Sequence, residues 1–162
     1  MVTVRPEPGF GIGFYIRRAI PADIPEISAI EKEAFTDPWG EEGIREAMTL
    51  YLTSFFVAVA DGKVIGFVGG GLENTGEVIY GHLCTLFVAE QYRNRGLGRA
   101  LSDRIDHDFI LHGATAVQLE VRVSNRDAIA FYRRLGYQEI FTYDSYYKDG
   151  EDGVVMMKWF SS

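Results

Sequence analysis

The spacing of apolar residues changes several times along this chain, and each change marks an element. A short strand is expected over 12–18. Ile24, Ile27, Ile30, Ala34 and Phe35 then recur at helical spacing, and Pro21-Ala22-Asp23 ahead of them is a helix-start signal. Asp37-Pro38-Trp39-Gly40 breaks that helix, and a second short one follows over about 41–50. Strands are predicted over 55–60 and 63–71, flanking Asp61 and Gly62, the strongest two-residue hairpin signal, and over 77–88. The stripe Leu97, Leu101, Ile105 and Phe109 predicts a helix over 96–112, closed by Gly113. Residues 115–123 alternate: Val117, Leu119, Val121 and Val123 face one way, Gln118, Glu120 and Arg122 the other. Ser124-Asn125-Arg126-Asp127 is an N-cap signature with an acidic residue three positions after the serine. It opens a helix bearing Ala128, Phe131, Tyr132 and Leu135, which stops at Gly136. Two last strands, over about 137–147 and 153–160, flank Asp149-Gly150.

The resulting order, β-α-α-β-β-β-α-β-α-β-β, is that of an α+β or mixed α/β domain built on a central sheet. Residues 1–11, with two prolines and two glycines, are expected to form a mobile tail, and 12–162 a single domain.

Composition narrows the picture. A chain of 162 residues with 47% hydrophobic and 24% charged residues suits one compact soluble domain. Its apolar runs are too short to cross a membrane, and its first residues lack the pattern of a secretory signal. With one cysteine, Cys84, it forms no internal disulfide, which fits a cytoplasmic location. Cys84 is expected to be buried. A formal net charge of −7 argues against nucleic-acid binding and is compatible with a cationic acceptor such as an amine or a basic peptide. His82, His107 and His112 show no ligand spacing with a carboxylate or cysteine, so no metal is expected. Asp149-Gly150-Glu151-Asp152 reads as a charged turn, since calcium-loop spacing is absent.

The chemistry enters at Arg93-Asn94-Arg95-Gly96-Leu97-Gly98-Arg99, between a predicted strand and a predicted helix. A helix start leaves backbone N–H groups unpaired and carries partial positive charge, and glycines let a bulky anion come close. Three arginines add charge. The segment is neither a P-loop, whose Gly-Lys-Ser/Thr ending is missing, nor a dinucleotide fingerprint. Alone it reads as a pyrophosphate cradle or equally as a solvated basic turn.

Arg93-x-x-Gly96-x-Gly98 at a strand-to-helix junction resembles the acetyl-CoA signature of the GNAT family of N-acetyltransferases. Leu119-Glu120-Val121-Arg122-Val123-Ser124-Asn125, then Ala128-Ile129-Ala130-Phe131-Tyr132 and Leu135-Gly136-Tyr137, resemble the second half of that family's core. Ala34-Phe35-Thr36-Asp37-Pro38-Trp39 is similar to the substrate loop of RimI-type enzymes, and Tyr146-Tyr147-Lys148-Asp149-Gly150 to the last hairpin of protein N-terminal acetyltransferases. The resemblance implies a mostly antiparallel twisted sheet of about seven strands flanked by about four helices, and acetyl-CoA as cosubstrate. It places Arg93, Asn94, Arg95, Gly96, Leu97, Gly98 and Arg99 at the phosphates. Backbone groups of Leu86, Phe87 and Val88 go to the pantetheine arm and the acetyl carbonyl, and Asn125 to the pantetheine. It makes Glu120 the general base and Tyr132 the general acid, and puts Phe35, Pro38, Trp39 and Tyr147 against the acceptor. Tyr146 and Tyr147, on adjacent strand positions, would point to opposite faces, and the resemblance favours Tyr147.

These residues imply transfer of an acetyl group to the N-terminal α-amine of proteins or peptides. Lysine side chains or polyamines as acceptors, and a non-catalytic acetyl-CoA-binding subunit, stay open as alternatives. So do a homo-oligomer and an auxiliary subunit.

Overall fold

The alternation and turn chemistry lay down eight strands and four α-helices among the described residues, 2–4 and 13–161, of a computed structural model. The strands are β1 (Val2–Val4), β2 (Phe14–Arg18), β3 (Ser54–Ala60), β4 (Lys63–Asn74), β5 (Ile79–Val88), β6 (Ala116–Arg122), β7 (Gln138–Tyr143) and β8 (Gly153–Trp159). The helices are α1 (Ile24–Ala34), α2 (Gly40–Leu50), α3 (Leu97–Leu111) and α4 (Arg126–Arg134). The strands are hydrogen-bonded in the order β1-β2-β3-β4-β5-β6-β8-β7. The pairs β1–β2, β2–β3, β3–β4, β6–β8 and β7–β8 are antiparallel, and β5–β6 is parallel. A parallel pair needs a long crossover, and α3 lies in that connection. This is the mixed, mostly antiparallel sheet expected. Of the expected tail, Val2–Val4 pairs with Phe14–Ile16 as β1, and residues 1 and 5–11 lie outside the described residues. No described helix is long and apolar enough to cross a membrane.

The chain divides into two compact units. The first takes the residues up to Gly71 together with Thr85–Asp108. Its β3–β4 hairpin turns on Asp61 and Gly62, both at positive φ (49° and 73°), the backbone that a tight two-residue turn demands. Helix α1 is entered through a short 3-10 turn at Pro21–Asp23, and Arg17 on β2 grips the Asp23 carboxylate with two 2.8 Å hydrogen bonds. The apolar stripe of α1 is narrower than expected: Ile24 and Ile27 are buried, Ile30 is half-buried and Ala34 is exposed. Leu97, Leu101 and Ile105 of α3 are wholly buried. A Cβ on Gly66 would lie 2.8 Å from the Phe87 carbonyl oxygen and 3.1 Å from Leu101, so β4 approaches its neighbours there as only glycine allows.

The second unit takes Leu72–Cys84 and the residues from Phe109 onward. Val117, Leu119 and Val121 of β6 are buried while Gln118, Glu120 and Arg122 are half-buried. Val123, expected on the buried face, lies past the end of the strand and is 43% exposed. The cap of α4 is Asn125, whose side chain accepts the Ala128 amide at 3.2 Å; it is not Ser124, which sits one residue too early to reach the first turn. Strand β7 ends at Tyr143, so Tyr146 and Tyr147 occupy a loop and not the strand expected to continue to 147.

One glycine of this unit tests the packing directly. A Cβ on Gly81 would fall 2.3 Å from Cδ2 of the buried Phe109 ring. Gly81→Ala is expected to lower unfolding stability by about 1–3 kcal/mol, the usual cost of overpacking a filled core, measurable by denaturant titration. An unchanged midpoint would mean the ring has room that the packing does not show.

Candidate active site

In the first unit, the segment after β5 is shaped by its backbone. Asn94 and Gly96 both adopt positive φ (60° and 87°), turning the chain into α3. The first intrahelical bond of α3 runs from the Ala100 amide to the Gly96 carbonyl at 2.9 Å. The amides of Leu97 and Gly98 therefore have no acceptor within the helix, the arrangement that suits an anion. Leu97 anchors the turn with a fully buried side chain, Gly98 is half-buried, and Asn94, Arg95, Gly96 and Arg99 are exposed. Arg93 is exposed too, yet its Nε donates to the Val88 carbonyl at 2.8 Å, tying the loop back to the end of β5. The donor set, helix-start amides beside basic side chains, fits a pyrophosphate group.

Leu86, Phe87 and Val88 are half-buried at the end of β5. Phe87 stacks on Phe67 at 5.4 Å, and Phe35 meets both rings edge-on at 6.4 Å. Phe35 is thus held in an aromatic cluster at the end of α1. Pro38 and Trp39 are exposed beyond it.

In the second unit the site centres on Glu120. The parallel pairing of β5 and β6 sets His82 opposite Gln118, which puts His82, Gln118 and Glu120 on one sheet face. His82 Nε2 lies 2.6 Å from Glu120 Oε1, Gln118 Nε2 donates to Oε2 at 3.1 Å, and the Tyr146 hydroxyl donates to Oε1 at 3.1 Å. Burial alone would raise the Glu120 carboxyl. The His82 hydrogen bond and charge, with the bonds from Gln118 and Tyr146, outweigh it and hold the group below its ordinary 4.5. His82 is pushed up to about 10, first by the hydrogen bond with the Cys84 side chain and then by Glu120. Burial and the Glu120 charge push the Tyr146 hydroxyl up to about 12. At neutral pH the centre is an imidazolium–carboxylate pair capped by a neutral phenol. Cys84, expected to be buried, is half-buried on the His82 face of β5.

Arg122, two positions beyond Glu120 on the same face, holds the tyrosine loop. It donates at 2.8 Å to both Asp149 and Glu151, and its guanidinium lies 4.2 Å from the Tyr147 ring centroid. Glu151 also accepts the Ser124 amide, and Asp152 the Ser145 amide. The acidic run expected as a charged turn is the counter-charge of this clamp. Tyr146 reaches Glu120, while Tyr147, expected against the acceptor, places its ring by Arg122 and makes an edge contact with Tyr146 at 5.0 Å. Tyr132 lies edge-on to Phe131 and Tyr137, at 5.3 and 5.5 Å, and burial raises its hydroxyl above the ordinary 10. The Oδ1 of Asn125 is engaged in capping α4. Among the described residues no cluster of His, Cys, Asp and Glu is placed to hold a metal ion.

His82 was not legible as a neighbour of Glu120, and Tyr146 was read beside Tyr147 in the last hairpin but not as a partner of that carboxylate. Alternation along β5 puts His82 and Cys84 on one face, but nothing local says that this face meets Glu120.

Residues 24–137 match the model of the acetyltransferase (GNAT) family. The chain is 35% identical to the N-alpha-acetyltransferase of Sulfurisphaera tokodaii over 155 residues, covering 90% of this chain and 93% of the relative. It is 32% identical to the [ribosomal protein bS18]-alanine N-acetyltransferase of Escherichia coli, covering 83% and 89%. The crystal structure of Ard1 from Thermoplasma volcanium superposes with a TM-score of 0.84 at 26% identity, covering 92% of this chain and 99% of that one.

The pair at Glu120 sets a pH window. The raised His82 value contributes stability that is complete below its ordinary 6.5 and lost as pH climbs through about 10. The lowered Glu120 value contributes stability present above 4.5 and lost as acid takes pH below it. An NMR titration of the His82 ring is expected to show it charged at pH 8, and Glu120→Gln to lower its midpoint. A wild-type midpoint near 6.5 would refute the pair.

Proposed function

Since residues 24–137 match its model, the chain belongs to the acetyltransferase (GNAT) family, and we propose that it transfers the acetyl group of acetyl-CoA to the N-terminal α-amine of proteins or peptides. The choice of acceptor rests on the relatives matched over most of the chain, which are named for α-amine acetylation. The electrostatics of Glu120 agree with it. An α-amine titrates at about 7.7–8.0, so about a third of it is neutral at pH 7.5, whereas a lysine at about 10.4 is almost wholly charged. A carboxylate held below its ordinary value is a weak base, matched to the first acceptor and poorly matched to the second.

In this reading the helix-start amides at Leu97 and Gly98, with Arg93, Arg95 and Arg99, hold the cosubstrate's phosphates. The amine lone pair attacks the thioester carbonyl carbon; the C–N bond forms and the C–S bond breaks. A backbone N–H at Val88 meets the charge that develops on the carbonyl oxygen. Glu120 takes the proton released from nitrogen, directly or through one water. Tyr132, kept protonated by burial, donates to the departing sulfur and recovers its proton from solvent. His82 keeps Glu120 ionised and oriented, and Tyr146 must release Oε1 for Glu120 to accept a proton there. The family resemblance assigns Phe35, Pro38, Trp39 and Tyr147 to the acceptor and Asn125 to the pantetheine.

A second reading, acetylation of lysine side chains or polyamines, draws on the net charge of −7. Peptides with free or blocked N-termini and one internal lysine separate the two, with CoA release as readout. Only free N-termini are expected to react; equal acetylation of both on the lysine would sink the proposal. Glu120→Gln is expected to lower kcat by about 10²–10⁴-fold while leaving the KM for acetyl-CoA near that of the wild type. An active Glu120→Gln enzyme would remove the carboxylate from the mechanism.

A further inference from the structure

The N-terminus of α2 is built against local preference. A helix start favours Ser, Thr, Asp or Asn at the cap, where a side-chain oxygen can meet the first amides. Here the cap position is Trp39, which offers no such oxygen, and no side-chain capping bond is made from it. The acceptor comes from the preceding helix. Glu31 of α1 is only 2% exposed, and its carboxyl accepts the backbone amides of Trp39 and Gly40. Its Oε1 is buried with no hydrogen-bond partner, so the side chain is taken out of water for those two bonds alone. Burial raises its pKa above the ordinary 4.5. Two glycines complete the arrangement. Gly40 turns the chain into α2 at a φ of +75°, and a Cβ on Gly43 would come within 3.1 Å of the Trp39 Cβ. The result of a buried carboxyl, a left-handed glycine and a cleared neighbour is a tryptophan left 40% exposed, four residues past the anchored Phe35 ring.

We propose that Glu31 is a positioning residue for acceptor binding: by capping α2 from α1 it holds the 35–39 loop as a preformed wall, with Trp39 presented to the acceptor peptide. Delegating the cap to Glu31 frees position 39 from the short polar residue it would otherwise need. A preformed wall spares the peptide the cost of ordering the loop, so the effect falls on acceptor affinity and not on the chemical step. The inference rests on the α-amine reading of the site given above.

The test separates reach from charge. Glu31→Gln keeps an acceptor oxygen at the same distance without the charge. Glu31→Asp keeps the charge but withdraws the oxygens by about 1.5 Å, one carbon–carbon bond. Glu31→Ala removes both. With a peptide acceptor, Glu31→Asp and Glu31→Ala are expected to raise the peptide KM about tenfold, the size of one lost cap. Their kcat and acetyl-CoA KM should stay within about twofold, and Glu31→Gln should stay close to wild type in all three. An unchanged peptide KM in Glu31→Asp, a Glu31→Gln as impaired as Glu31→Asp, or a matching fall in kcat would each overturn the role. Should Glu31→Ala fail to fold, the Asp and Gln variants carry the comparison. Hydrogen exchange at the Trp39 and Gly40 amides reads the cap without any acceptor: faster exchange in Glu31→Asp but not in Glu31→Gln supports it, and no acceleration overturns it. Wild-type protein that acetylates no peptide N-terminus would sink the acceptor reading, whereas active wild type with an unaffected Glu31→Asp would sink only the part given to Glu31.

Discussion

A carboxylate withdrawn from water on the face of a strand must have its lone pairs met, and Glu120 meets them from three directions. His82 arrives through the parallel β5–β6 pairing, Gln118 from the same strand, and Tyr146 from the loop between β7 and β8. Hydrogen bonds to a charged group are worth about 1.5–3 kcal/mol each, against several kcal/mol for desolvating an ion, so removing one partner leaves the group under-compensated. The loop supplying Tyr146 is itself held by charge. Arg122 pins Asp149 and Glu151 and lies over Tyr147. Two side chains on one face of β6 thus organise most of what surrounds them: one is the candidate base, the other the clamp that holds the tyrosine loop beside it.

Helix starts do much of the remaining work, and each is satisfied differently. At α4 the cap is local, with Asn125 bonding the Ala128 amide. At α2 it is borrowed from Glu31 of the preceding helix, which leaves Trp39 where a small polar residue would ordinarily sit. At α3 the amides of Leu97 and Gly98 are left without an acceptor in the helix, following two residues at positive φ. A start that is sealed stabilises the fold, whereas one left open invites an anion. That contrast distinguishes the glycine loop from the starts of α2 and α4, and arginine content alone would not.

Most elements were readable because their signals are local. Asp61 and Gly62 form the expected hairpin turn, the α3 stripe is buried as its spacing requires, and the alternation of β6 sorts Glu120 from Leu119 correctly. The misplacements also have local causes. Val123 continues the alternation in composition but lies one residue past the end of β6 at Arg122, where its side chain is exposed. Ser124 has the chemistry of a cap, but the first turn of α4 begins one residue too late for it. The last hairpin looked like continuous strand through Tyr147 because its tyrosines favour β structure, yet the acidic run folds back onto Arg122 and ends β7 at Tyr143.

The sequence by itself determined most of the elements and, through the motifs it shares with GNAT enzymes, pointed to the turn at Arg93–Gly98, to Glu120 and to Tyr132 as residues to watch. These depend on spacings of a few residues, which periodicity and backbone preference record. Tertiary structure alone decided the partners. His82 stands 38 residues from Glu120, Tyr146 stands 26 away, and Arg122 meets Asp149 across 27. Glu31 reaches the amides of the next helix across a loop. Strand register and loop closure set such pairings, and both come from packing a whole unit at once. A histidine that looked silent thereby became the counter-ion of the candidate base, and Tyr146 became that carboxylate's third partner.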